Sequence, residues 1–154
     1  MTVENNHRWP APNHNYVPEF QMSGVPFVKT VTLPKSSAIE FTTGSTWTNC
    51  VINFDQVTRW IEIINHEAAG KHIYVYFNET AFKTAKDLSD KHFYKLDGGM
   101  KSNRLELKCK KIWIYPESNA EGGTSISVIA GLTNVPSNTF PDQTKANGFT
   151  GVEN

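Results

Sequence analysis

Apolar and polar positions alternate along the chain from about residue 28 to residue 132, and almost nowhere recur at helical spacing. The alternating runs are short and rich in β-branched and aromatic residues. Examples are Val57-Thr-Arg-Trp-Ile-Glu-Ile-Ile64, Ile73-Tyr-Val-Tyr-Phe77, Lys111-Ile-Trp-Ile-Tyr115 and Ser125-Ile-Ser-Val-Ile-Ala-Gly-Leu132. A period of two sends successive side chains to opposite faces of a strand. The pattern predicts strands over 28–33, 38–42, 50–54, 57–64, 71–78, 91–96, 104–115 and 124–132. Turn-forming residues separate them: 34–37, 43–45, 65–70, Asp97-Gly-Gly99 and 119–123. About eight short strands punctuated in this way predict an all-β fold, a single β-sandwich or jelly roll.

Two runs carry more detail. In 71–78, Ile73, Val75 and Phe77 share one parity, and His72, Tyr74 and Tyr76 share the other. Both faces are apolar enough for one to meet the core and the other to be covered by the arm or a partner. In 104–115, Leu105, Leu107 and Cys109 hold one parity and Ile112 and Ile114 the opposite one. A β-bulge at Lys110-Lys111 would shift the parity, or both faces are buried with Trp113 and Tyr115 on the first. The best helical spacing lies in 80–90, where Ala81, Phe82, Ala85 and Leu88 suit a turn or two of helix.

The flanks read differently. Residues 1–27 carry Pro10, Pro12, Pro18 and Pro26 among several asparagines, which favours an extended arm. Trp9, Tyr16, Phe20, Val25 and Phe27 are spaced along it as apolar anchors, more than a solvated tail would carry. These are the expected partner-binding residues. Residues 28–134 form the expected domain, and the polar stretch 135–154 reads as a C-terminal tail.

Composition narrows the choice of partner. Across 154 residues, 15 basic side chains balance 15 acidic ones, so no electrostatic argument favours nucleic acid or an anionic membrane. No apolar stretch approaches the roughly 20 residues of a membrane helix. The opening Met-Thr-Val-Glu-Asn-Asn-His-Arg lacks the features of a signal peptide, so a soluble chain made in the cytoplasm is expected.

Candidate chemistry is sparse. Cys50 and Cys109 sit in apolar strand contexts and read as buried thiols, although a disulfide between strands stays open. The histidines at 7, 14, 66, 72 and 92 show no metal-ligand spacing. No nucleophile elbow is present, and the acidic residues Asp55, Glu62 and Glu106 fall where a solvated strand face is expected. The sequence therefore predicts no catalytic residue, no metal and no cofactor. Asn78-Glu-Thr80 matches a glycosylation sequon. Trp47, Trp60, Trp113 and Tyr115 would be the candidates if the module bound sugars by stacking. Of these only Trp47, in a Thr-Gly-Ser-Thr-Trp-Thr-Asn segment, reads as exposed; Trp60 and Trp113 read as core or interface.

Several ordered phrases resemble small structural proteins of tailed-bacteriophage virions. They are Tyr16-Val-Pro-Glu-Phe-Gln-Met-Ser-Gly-Val-Pro-Phe-Val28, Phe54-Asp-Gln-Val-Thr-Arg-Trp-Ile-Glu-Ile-Ile-Asn65 and Ile73-Tyr-Val-Tyr-Phe77. The series continues through Phe93-Tyr-Lys-Leu-Asp-Gly-Gly99, Leu105-Glu-Leu-Lys-Cys-Lys-Lys-Ile-Trp-Ile114 and Ser127-Val-Ile-Ala-Gly-Leu-Thr133. The resemblance implies a non-enzymatic virion β-sandwich, a head decoration or cement protein, or else a minor neck or tail protein. It implies the major capsid protein and other virion proteins as partners, with the arm bridging capsomers. A homo-oligomer, with a trimer as the expected ring, completes the expectation.

Overall fold

The computed structural model describes residues 25–41, 46–83, 92–118 and 122–142. Seven strands occur among them: β1 (Val25–Leu33), β2 (Val51–Asn53), β3 (Gln56–Asn65), β4 (Ile73–Tyr76), β5 (Tyr94–Leu96), β6 (Lys111–Pro116) and β7 (Thr124–Pro136). They form two antiparallel sheets, ordered β1-β7-β3 and β2-β6-β4-β5. The chain is an all-β sandwich, as its alternating pattern predicts.

The alternation explains the core. On the first sheet, Ile126, Val128, Ala130 and Leu132 of β7 point inward beside Ile61 and Ile63 of β3 and Leu33 of β1. The second sheet answers with Ile52, Ile73, Val75, Leu96, Ile112 and Ile114. Cross-strand register keeps these faces together: Ala130 pairs with both Phe27 and Ile61, and Val75 pairs with Ile114. Full burial of each large aliphatic side chain is worth about 1.5–3 kcal/mol.

The central strands of the second sheet, β4 and β6, are buried on both faces, and this chain supplies the cover itself. Tyr74, Tyr76, Trp113 and Tyr115 point away from the sandwich interior into a second cluster with Ile39, Cys50, Ala81 and Phe82. Phe82 is its centre, with Phe41, Tyr76 and Trp47 rings at 5.2, 5.8 and 6.4 Å. Phe82 is held there by a single helical turn, α1 (Glu79–Lys83). Asn78 caps that turn: its Oδ1 accepts from the Thr80 and Ala81 amides at 2.7 and 3.3 Å. The helical spacing of 80–90 is thus realised at its start, and 84–91 lie outside the described residues.

Four boundaries differ from the sequence reading. The stretch 38–41 is not a strand: a 3-10 turn at Ser36–Ala38 delivers Ile39 and Phe41 as plugs for the second cluster, and residue 42 lies outside the described residues. The run 104–115 is not one strand with a bulge. Residues 100–109 follow the outer edge of β3, where Ile61 and Leu105 exchange two amide bonds of 2.9 Å and Ser102 binds Ile63. The chain then bends at Lys110 and enters the other sheet as β6, so the parity shift marks a change of sheet.

The domain also reaches further at both ends. β1 starts at Val25, so Phe27 belongs to the sandwich and packs against its core. β7 runs to Pro136, and Val135 and Phe140 are buried with Val57 in a third small cluster. Residues up to at least 140 therefore belong to the fold and not to a tail. Their apolar side chains close the end of the sandwich where β3 begins.

Two glycines are dictated by space. A Cβ at Gly98 would overlap the Ala68 carbonyl, and Gly123 combines φ +78° with the same kind of overlap on the Leu33 carbonyl. Only glycine suits the second without strain.

Candidate functional site

The expected arm anchors separate into two groups. Trp9, Tyr16 and Phe20 lie outside the described residues. Val25 opens β1 opposite Leu132, and Phe27 stacks edge-on against Phe54 with ring centroids 4.9 Å apart. Phe27 is therefore partly buried within its own domain, packed against the core.

The structure offers two surfaces for binding. The first is β1, which pairs only with β7 among the described strands. Its outward parity, Pro26, Val28, Thr30 and Thr32, lies across from Gly131, Ile129, Ser127 and Ser125. Val28 is 68% exposed, more than any other large apolar side chain described. The same outer face continues onto β3 through Trp60, Glu62 and Ile64. Arg104 lies over the Trp60 ring at 4.6 Å, and Lys101 pairs with Glu62 at 3.1 Å. A hydroxyl row crosses this face: Ser127 Oγ lies 2.8 Å from both Thr30 Oγ1 and His66 Nε2.

The second surface is a pocket of about 200 Å³ at the open end of the second sheet's outer face. Two cross-strand pairs line it, Val51 with Trp113 and Asn53 with Lys111. The 3-10 turn Thr46–Cys50 brings in Trp47 and Thr48, and α1 contributes Glu79. Trp47 is half-buried, not exposed: it packs toward Phe82, and the Lys83 ammonium sits 5.5 Å from its ring. Trp113 is 1% exposed and Tyr115 7%, so neither offers a free ring face. The meeting of Trp47 with Glu79 and Lys111 is not legible in sequence, because three separate segments supply them.

Titratable groups elsewhere serve the fold. Burial pushes the thiols of both Cys50 and Cys109 up to about 12, and both are free, in different clusters. Neither is an activated nucleophile. His72 Nδ1 lies 3.0 Å from Asp97, and its Nε2 lies 3.9 Å from Glu117. The Gly70 and Gly98 amides donate to Asp97 and hold its carboxyl below the usual range, with His72 and Lys95 adding to this. Burial raises the Tyr74 phenol, as does the neighbouring Glu117 carboxylate. Asn78 of the sequon is fully buried and engaged in capping α1, so the folded chain does not present it. Among the described residues no group of three or more His, Cys, Asp or Glu is placed to hold a metal, and no helix is long and apolar enough to cross a membrane.

No protein-family model, no curated protein and no solved structure matches this chain.

Proposed function

We propose that this protein is a non-enzymatic structural component of a tailed-bacteriophage virion, a head decoration or cement protein whose N-terminal segment and β1 dock on the shell. The observation that carries the reading is the way apolar surface is spent. The central strands of the second sheet, β4 and β6, are covered on both faces by this chain, and the first sheet is covered on its inner face. The outer face at β1 stays open, with Val28 68% exposed. That strand continues directly from residues 1–24, where Trp9, Tyr16 and Phe20 are spaced as anchors. Buried aromatic anchors are the residues that dominate protein–protein affinity. An arm that engages a neighbour while the sandwich engages the shell multiplies the two affinities.

The strand order supports a jelly roll, an architecture common in capsid modules. With the 101–105 segment counted beside β3, each sheet has four members: β1-β7-β3-(101–105) and β2-β6-β4-β5. A trimer on the shell is the assembly that this reading carries, with the major capsid protein as principal partner. Balanced charge gives nucleic acid and anionic membrane no electrostatic hold. A position at the neck or tail is the variant of the same reading.

Incubating the full chain with particles from its source, followed by sedimentation, tests this. Saturable co-sedimentation at a fixed ratio to the major capsid protein is the expected result. A chain that stays in the supernatant with particles that lack it would overturn the reading.

A further inference from the structure

We propose that the pocket between Trp47, Glu79 and Lys111 binds a neutral pyranose, one ring of a glycan. The inference is independent of the docking surface at β1, which lies on the other sheet.

The chemistry of the lining selects the ligand class. Four of the seven lining side chains are polar: Thr48, Asn53, Glu79 and Lys111. A purely apolar occupant would strip water from them and return no hydrogen bond. A fully charged occupant meets opposing signs, since the one carboxylate and one ammonium that line the pocket balance. A polyhydroxylated ring fits both constraints, because each hydroxyl can donate to a carboxylate and accept from an ammonium or amide. It also carries an apolar C–H face to set against an indole, the combination found in concave polar-and-aromatic sites.

The geometry prepares the groups for that role. Glu79 is fixed by two cations: its Oε1 takes Lys83 at 2.8 Å, and its Oε2 lies 4.0 Å from Lys111. Lys83 also lies over the Trp47 ring, so one arrangement positions the carboxylate and orients the indole together. Lys111 lies 4.0 Å from Asp142, whose nearer partner is Lys110 at 2.7 Å, and 5.2 Å from the Trp113 ring. Asn53, the cross-strand partner of Lys111, lines the pocket at an exposed position. A volume of about 200 Å³ suits one sugar ring. The half-buried Trp47 is the platform; the buried Trp113 is the floor.

The test is a titration of the full chain with methyl glucoside, methyl galactoside and methyl mannoside, read by proton–nitrogen correlation spectra. The Trp47 indole N–H signal, assigned by its loss in Trp47→Phe, is expected to shift saturably with one of the three, with Kd on the order of 1 mM. Asn53→Ala, at an exposed position and with an unchanged melting temperature, is expected to weaken binding about tenfold. The proposal is overturned if no glycoside produces a saturable shift. It is equally overturned if the affinity, read from the Thr48 and Lys111 backbone amide signals, is unchanged in both Asn53→Ala and Trp47→Ala. Should indole saturate the pocket while the glycosides do not, the site takes an aromatic side chain of a protein partner and the sugar assignment is wrong.

Discussion

Phe27 meets Phe54 edge-on, ring centroids 4.9 Å apart and planes at 72°, and this contact clamps the start of β1 to the opposite sheet. It fixes where the sandwich begins. The edge-to-face pair adds about 0.5–1.5 kcal/mol to the burial of the two rings. Phe27→Ala is therefore expected to destabilise the domain by about 2–3 kcal/mol, discounted from a full core deletion because Phe27 is partly buried. Urea denaturation with an unchanged m-value would measure it.

The same contact separates two truncations. Removing residues 1–24 leaves β1 and Phe27 in place, so particle binding is expected to be lost while the melting temperature falls less than on removal of 1–27. Removing residues 1–27 also deletes Phe27 and is expected to lower the melting temperature. Equal melting temperatures for both truncations would show that Phe27 does not hold the fold.

Besides the backbone bonds that hold 100–105 to β3, one hydroxyl fixes the far end of the strap 100–109, at 107–109. Thr58 Oγ1 lies 2.7 and 3.2 Å from the carbonyl oxygens of Leu107 and Cys109 and accepts from the Cys109 amide at 3.0 Å. Thr58→Val keeps the shape and strands a buried amide, which costs about 1–3 kcal/mol. Amide hydrogen exchange of 102–109 is expected to accelerate more than that of β4 and β6. A uniform change across all strands would contradict the local role.

Both cysteines are expected to be silent toward thiol reagents in the native state at neutral pH, since their pKa values near 12 leave almost no thiolate. Both should react in denaturant. Fast labelling of either in the folded chain would place that thiol outside the clusters described.

Asp97 links the 65–72 turn to pH. Its folded-state pKa is depressed by the Gly70 and Gly98 amides, with His72 and Lys95 contributing. It therefore contributes stability that is present above the unfolded-state value of about 3.9 and is lost as pH falls through the lower folded value. The stability gap between the native chain and Asp97→Asn is expected to shrink as pH falls below about pH 4. Chemical denaturation across that range reads it directly; a gap that widens toward acid would reverse the sign.

Much of this architecture is written in the period of two. Ile73, Val75, Tyr74 and Tyr76 announce a strand buried on both faces, and β4 is one. What the pattern cannot say is which layer covers which face. The second face of β4 is covered by Phe82, Ile39 and Trp47, which come from short turns whose sequences have no lasting period. That is why 38–42 reads as a strand and Trp47 as exposed. The parity shift at Lys110 is visible, but a bulge and a change of sheet leave the same mark in sequence. Val135 and Phe140 were hidden by their polar neighbours, although two apolar residues in a polar stretch are anchors in their own right. The pocket had no signal, because its polar rim is assembled from β2, β6, α1 and a 3-10 turn.

The central claim, a sandwich that docks through β1 and the segment before it, is tested most directly by cryo-electron microscopy of intact particles from the source. The account predicts density for two packed sheets on the outer shell, with the β1 edge toward the capsid protein and the N-terminal segment running across a capsomer junction. Density at the neck or tail would keep the virion class and reject cement. Particles with no density for this chain at any site would contradict the account.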